Sequence, residues 1–102
     1  MRMIVFFDLP VTSPIERRTA TKFRNFLLKD GYYMLQFSVY SRVCNGNDAV
    51  EKHFKRIKNN LPSNGSVRVL TITEKQYQNM QILLGEPSTN DKPIQAEQMF
   101  FI

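Results

Sequence analysis

MIVFFD at residues 3–8 and SPIE at residues 13–16 are the two segments from which the architecture of this chain follows. The first is apolar on both faces of an extended strand, and such a strand is normally covered on both sides. In the second, the serine is a helix N-cap, the proline takes the first helical position and the glutamate completes a capping box. A helix is therefore predicted from here to Asp30, with Gly31 as its C-terminal stop.

The predicted helix has one apolar stripe, and the rest of its surface is basic. The stripe comprises Ile15, Thr19, Ala20, Phe23, Phe26 and Leu27. The basic surface begins with Arg17 and Arg18, and Lys22 follows one turn later. Cations in the first turn gain nothing from the helix dipole, so an external anion explains Arg17 and Arg18 best. A solvated surface without a ligand is the alternative explanation.

The residues after this helix predict two strands, a second helix and a further strand. Residues 32–34 and 35–43 have strand character, the second with alternating apolar and polar positions. Asp48 is predicted to cap the second helix, with Glu51 as the glutamate of its capping box. Residues 67–73 are rich in β-branched side chains, which favour a strand.

The C-terminal quarter of the chain completes the pattern. Residues 74–79 predict a single helical turn, and residues 80–84 predict a short strand. We expect an α+β protein, a ferredoxin-like βαββαβ sandwich with an extra C-terminal strand. Its domain comprises residues 1–85. Residues 86–102 are a polar linker with an apolar end, which we expect to add as a strand to a partner, docking on the chain's own body being the alternative.

Charge and composition narrow the classes of partner. The net charge of +5 is unevenly distributed, with +7 in residues 1–75 and −2 in residues 76–102. A basic body is consistent with binding to a polyanion such as nucleic acid, or to an anionic membrane. On charge alone, a solvated surface without such a partner is an equal alternative. No apolar run approaches the roughly 20 residues of a membrane span, and we do not expect the opening segment to be a signal peptide. Cys44 is the only cysteine, so we expect a reducing, cytoplasmic location.

The predicted fold leaves one side of the sheet without a cover. Two helices cover a single face, yet apolar residues of the first and last strands occupy both faces. Those on the second face are Ile4, Phe6, Leu70 and Ile72. The most economical cover is a second copy of the chain packed sheet to sheet through a two-fold axis, so we expect a homodimer.

Asp8 is the main candidate for chemistry. It ends an otherwise apolar strand on the side of Ile4 and Phe6, where a carboxylate needs a cation, donors or water. A carboxylate that accepts backbone N–H groups at a strand end is the simpler explanation. If Asp8 lies near the two-fold axis, the carboxylates of both subunits converge, and with water they suit Mg²⁺. Such an ion could activate water against a phosphodiester.

The remaining candidates are weaker. Arg42 and Arg68 alternate with apolar residues on strands, so their guanidinium groups could follow phosphates. His53 flanks the apolar stripe of the second helix and is expected to be structural. No glycine-rich phosphate loop and no Cys-His-Asp set occurs in the sequence, so no organic cofactor is expected.

Several segments together resemble the small CRISPR-associated endoribonuclease family over residues 1–84. They are the first strand ending in Asp8, the helix start Glu16-Arg17-Arg18, the core residues Phe23 and Leu27, Gly31, and QFSVY at residues 36–40. No single motif is specific, and the resemblance depends on their order and spacing.

The resemblance implies a ferredoxin-like homodimer that partners the CRISPR integrase in spacer acquisition. Asp8 matches the family's metal-binding and catalytic aspartate, and one Mg²⁺ is shared across the dimer axis. Arg17 and Arg18 match its basic helix start. The dimer is expected to bridge two integrase dimers and to hold double-stranded protospacer DNA by its backbone. Phe7 and Ser41 depart from the family, where tyrosine and an acid are common, and both changes are expected to weaken hydrolysis.

Three functions therefore remain open. The first is a sequence-independent DNA-binding adaptor of CRISPR adaptation with a weak Mg²⁺-dependent endonuclease site. The second is an active metal-dependent endoribonuclease or DNase, which leaves RNA open as a substrate. The third is a ferredoxin-like interaction module without nucleic acid. For the first two, the expected nucleic-acid contacts are Arg17, Arg18, Lys22, Arg42 and Arg68.

Overall fold

The computed structural model describes residues 1–87 and shows an antiparallel sheet with helices. The elements in chain order are β1 (Arg2–Asp8), α1 (Pro14–Lys29), β2 (Tyr33–Gln36), β3 (Val39–Val43), α2 (Asn47–Lys58), β4 (Ser66–Ile72) and α3 (Glu74–Gln78). The four strands are ordered β2-β3-β1-β4, and every neighbouring pair is antiparallel. The predicted α+β, ferredoxin-like class is confirmed. Within residues 1–87 no helix is long and apolar enough to cross a bilayer.

The core lies between one face of the sheet and the two long helices. Alternate residues of β1 supply its centre, and Val5 pairs with Tyr40 on β3 and with Val69 on β4. The buried cluster consists of Met3, Val5, Phe7, Phe23, Leu27, Tyr32, Tyr40, Cys44 and Ile57. Because α1 and α2 both contribute to this cluster, they cover the same face of the sheet. This face is called the helix face below, and the opposite one the second face.

The N-terminus of α1 has the predicted cap. Ser13 accepts a hydrogen bond from the Glu16 N–H, and the Glu16 carboxylate accepts one from the Ser13 N–H. Hydrogen bonds from Thr12 and Ser13 lower the pKa of Glu16. The predicted apolar stripe is wrong at its first position, since Ile15 is 71% exposed. Ile15 lies in the first turn, and the residues that α1 buries are further along the helix, beginning with Ala20.

The strand boundaries between the helices differ from the prediction. The chain turns at residues 37–38, after Gln36, instead of between Met34 and Leu35. Ser38 adopts a φ of 64°, in the left-handed region that a tight reversal requires. The QFSVY segment thus spans a turn, and Tyr40 faces the core.

The predicted cap of α2 is wrong. The helix begins at Asn47, after Gly46, and no side chain caps it. Gly46 has a φ of 89°, which favours glycine at this position. Asp48 lies inside the first turn, where its charge complements the helix dipole instead of serving as the cap.

The end of the described chain confirms one prediction and contradicts another. Residues 74–78 form the expected short helix, α3. Residues 80–84 do not form a strand, and Met80, Ile82, Leu83 and Leu84 are exposed. The predicted linker after residue 87 and the terminal strand at residues 99–102 lie outside the described residues.

Candidate metal and nucleic-acid site

The second face of the sheet carries an exposed apolar patch. Phe6 and Val43 are each 38% exposed, and Leu70 is 49% exposed. Leu70 pairs with Ile4, and Val43 pairs with Arg2, so both lie on the same face of the sheet as Phe6. We call Phe6, Val43 and Leu70 the apolar patch. The predicted uncovered surface is confirmed only in part: Phe6 and Leu70 are exposed, but Ile4 is 3% exposed and Ile72 is partly buried.

A short helix covers the other end of the second face. Arg2 is 1% exposed, and its guanidinium donates to both carboxylate oxygens of Glu74 on α3, at 2.8 and 2.9 Å. Arg2 also donates to the Tyr33 hydroxyl and lies 4.1 Å from the centre of the Tyr77 ring. The hydrogen bond from Arg2 lowers the pKa of Glu74. This buried cation therefore fixes α3 against β1 at the Arg2 end of the second face.

Asp8 ends β1 on the second face, and its carboxylate is exposed. It pairs with Ser66 on β4, while the preceding Phe7 N–H donates to the Ser38 carbonyl at 3.1 Å. Gly65 lies against the same strand end. A Cβ at this glycine would be 2.6 Å from the Asp8 carbonyl oxygen, and its φ is 101°. Two turns therefore hold the backbone that carries the carboxylate.

The residues around Asp8 fit a shared ion better than an ion held by one chain. Within residues 1–87 no group of three or more His, Cys, Asp or Glu side chains is close enough to hold a metal. Asp8 also has no hydrogen bond or ion pair to another described side chain, so its oxygens are available. Mg²⁺ needs few protein ligands and keeps several waters. One carboxylate from each of two chains would meet that requirement.

The basic residues of the α1 start differ in what they contact. Arg17 donates to the main-chain carbonyls of Val11 and Thr12, at 3.2 and 3.4 Å. Arg18 and Lys22 are exposed and form no ion pair within residues 1–87. Arg17 therefore also stabilises the loop before α1, whereas Arg18 and Lys22 are available to an anion.

The two strand arginines lie on opposite faces of the sheet. Arg68 is exposed on the second face, beside Phe6. Arg42 lies on the helix face, where it donates to the carbonyl of Asp30 and, at 3.1 Å, to the carbonyl of Val43. Its guanidinium is 5.9 Å from the centre of the Tyr32 ring. These contacts give Arg42 a structural role, and its predicted contact with nucleic acid gains no support from them.

His53 and Cys44 are structural, as expected. His53 is buried, and its Nδ1 lies 2.8 Å from a carboxylate oxygen of Asp30. Arg56 donates to the other oxygen of Asp30 at 2.8 Å, so this carboxylate joins the end of α1 to α2. Burial raises the pKa of the Cys44 thiol, which makes it less reactive.

The sequence prediction missed a groove beside the basic row of α1. This open groove has a volume of about 800 Å³ and lies between α1 and residues 59–63. Lys29, which no prediction singled out, lines it together with Arg18 and Lys22. The spacing of 18, 22 and 29 along one helical row was a signal for the cations. The position of the facing loop depends on tertiary packing and has no such signal.

The fold and the site together define a small ferredoxin-like α+β protein with a strand-end carboxylate, an exposed sheet face and a basic helix. Comparison with known families gives this class a more specific identity. The model of the family described as "CRISPR associated protein Cas2" matches residues 1–80, so the chain belongs to that family.

Curated relatives agree over nearly the whole chain. A protein of Acidovorax ebreus named "CRISPR-associated endoribonuclease Cas2" is 59% identical over 99 residues, covering 97% of both chains. A protein of the same name from Campylobacter jejuni is 48% identical over 92 residues, covering 90% of this chain and 64% of its own length. One from Flavobacterium psychrophilum is 44% identical over 99 residues, covering 96% of this chain and 86% of its own.

Proposed function

We propose that this chain is a homodimeric adaptor of CRISPR adaptation that binds double-stranded DNA without sequence preference. In this proposal the dimer bridges integrase dimers during spacer acquisition in the cytoplasm. Each chain also contributes Asp8 to one Mg²⁺ site with endonuclease activity. The observation that carries the proposal is the apolar patch with Asp8 at its edge, because one contact would cover the patch and pair the carboxylates.

The apolar patch is the feature that calls for a second copy. Exposed apolar side chains grouped on one sheet face favour a protein contact, and a two-fold contact covers the same face on both chains. The exposed side chains of Met80, Ile82, Leu83 and Leu84 offer the second copy additional apolar surface. A sheet-to-sheet contact of this kind would leave the outer surface of α1, with Arg18 and Lys22, open to DNA.

Leu70→Glu tests the dimer. A carboxylate in a packed apolar contact is costly, so we expect this variant to sediment as a monomer at micromolar concentration, whereas the unmodified chain sediments as a dimer. Ile15→Glu is the matched control, because it makes the same change at an exposed position on α1. A monomeric unmodified chain, or a Leu70→Glu variant as dimeric as the control, would contradict the proposal.

DNA binding through phosphates predicts a salt dependence. Combined Arg18→Ala and Lys22→Ala substitution should weaken binding to duplexes of different sequence equally, and should reduce the salt slope by about 1 for each lost contact. Arg68 lies beside Phe6 on the face that the two-fold contact would cover, so Arg68→Ala should leave duplex binding unchanged. Lys75→Ala, on α3, controls for loss of charge alone. An unchanged affinity and slope after the double substitution would refute the basic-surface argument.

An active nuclease is the second candidate, and the names of the relatives favour it. When bound, Mg²⁺ would supply charge neutralisation and an activated water at the phosphodiester. Asp8 would hold that ion, and Arg18 and Lys22 would hold the backbone. Asp8→Asn should abolish cleavage of labelled RNA and DNA, as should EDTA, while duplex binding persists. Cleavage that survives Asp8→Asn would assign the activity to another group.

A further inference from the structure

The groove beside α1 has the chemistry of an anion-binding site. Among the described residues that line it are three cations, Arg18, Lys22 and Lys29, and no carboxylate. Lys22 and Lys29 are exposed and form no ion pair within residues 1–87. Along α1 the row from residue 18 to residue 29 extends about 16 Å at 1.5 Å per residue. A row of this length is long enough to meet more than one phosphate of a nucleic-acid backbone.

The facing wall of the groove is fixed and polar. The N–H of Asn59 donates to the Lys55 carbonyl, and the N–H of Asn60 donates to the Ile57 carbonyl, each at 3.0 Å. The side chain of Asn60 also donates to the Arg56 carbonyl at 2.8 Å. These bonds anchor the start of the loop, at Asn59 and Asn60, to the end of α2.

The floor between the two walls is apolar and includes an aromatic ring. Phe26 is partly buried and packs against the core, with its ring centre 6.3 Å from that of Phe23. Leu61 and Pro62 line the groove across from it, and Leu61 is 50% exposed. A basic groove with an aromatic floor favours an unpaired strand, whose bases can stack on a ring while its phosphates meet the cations. A duplex keeps its bases stacked inside and offers no face to Phe26.

We propose that this groove binds an unpaired nucleic-acid strand at a site separate from Asp8. The site shares Arg18 and Lys22 with the duplex-binding surface and extends beyond it to Phe26 and Lys29. Phe26 receives a base, and Lys22 and Lys29 receive the phosphates on either side. The inference rests on the proposed function only in taking nucleic acid as the ligand.

Fluorescence anisotropy tests the proposal with labelled 12-mers: single-stranded DNA, single-stranded RNA and duplex DNA. Lys29→Ala and Phe26→Leu should each weaken single-strand binding, by roughly threefold and tenfold, and leave duplex affinity within twofold. The DNA and RNA arms show which strand the groove prefers. Lys52→Ala is the control, because it removes an exposed lysine on α2 that does not line the groove. Thermal melting of Phe26→Leu and of Lys29→Ala checks that both variants are folded.

The outcomes separate this inference from the proposed function. Both proposals are supported if Arg18→Ala removes duplex binding while Lys29→Ala and Phe26→Leu weaken single-strand binding. A chain that binds single strands through Lys29 and Phe26 but does not bind duplex supports the groove and refutes the adaptor. The groove proposal is overturned if both variants keep single-strand affinity within twofold, or if duplex affinity falls equally. It is also overturned if a polyglutamate peptide competes as well as the single strand.

Discussion

Replacing Glu74 by alanine should destabilise the fold strongly, because it removes the carboxylate that pairs with a buried cation. Arg2 is 1% exposed, and breaking a buried ion pair from one side typically costs about 3–5 kcal/mol. The Glu74 side chain is 28% exposed, so water can enter the space that it leaves. We therefore expect a loss of about 2–3 kcal/mol, which is a fall of roughly 10–20 °C in Tm for a chain of this size.

The measurement is urea and thermal unfolding at one fixed protein concentration, since a dimer's stability depends on concentration. Glu51→Ala, at an exposed position on α2, is the control and should cost less than about 0.5 kcal/mol. Adding Arg2→Met to Glu74→Ala should recover part of the loss, because no unpaired charge is then buried. If Glu74→Ala costs no more than Glu51→Ala, the pair does not hold α3 in place.

The same pair predicts a pH dependence. Arg2 lowers the pKa of Glu74 below its ordinary value of 4.5, so the folded state binds the proton less readily than the unfolded state. The stabilisation is thus fully present above the unfolded pKa and is lost as the pH falls below 4.5 through the folded pKa. Glu74→Gln should flatten this part of the stability profile. A profile as steep as that of the unmodified chain would show that other carboxylates control it.

Three further substitutions test other parts of the structure. Ser13→Ala removes the acceptor for the Glu16 N–H and should cost about 1 kcal/mol in urea unfolding; no change would mean that the cap is unimportant. Ser41→Ala should be within about 0.5 kcal/mol of neutral, because the buried Ser41 hydroxyl has no hydrogen-bond partner in the described chain. Gly65→Ala should cost roughly 1–3 kcal/mol and shift the amide resonance of Asp8, because a Cβ would be 2.6 Å from the Asp8 carbonyl oxygen. An unshifted Asp8 amide would show that Gly65 does not position this strand end.

The parts of the fold that the sequence predicted depend on local chemistry. The capping box at Ser13 and Glu16, and the doubly apolar β1, need no information from the rest of the chain. The turn at Ser38 was missed because QFSVY has continuous strand propensity and no glycine or asparagine to indicate a reversal. Residues 80–84 have strand propensity too, but a strand also needs a neighbour, and propensity alone does not supply one.

Some residues of the candidate site could also be identified from local sequence, whereas the placement of others depends on tertiary packing. Asp8, Arg18 and Lys22 could be identified from sequence, because a strand end and a helix surface fix where such side chains point. The separation of Arg42 from Arg68 could not, because it depends on which face of the sheet the helices cover. The alternation on β3 was visible, but the face assigned to the core was set by packing against α1 and α2.

Successive side chains of β1 point alternately to the helix-face core and to the second face. The length of this strand is therefore more constrained than its composition. Met3, Val5 and Phe7 belong to the helix-face core, while Phe6 and Asp8 face the other way. Deleting or inserting one residue would exchange the two sets, turning the carboxylate into the core and core side chains out to solvent. This strand can therefore accept exchanges between apolar residues at many positions, but not a one-residue shift of its register.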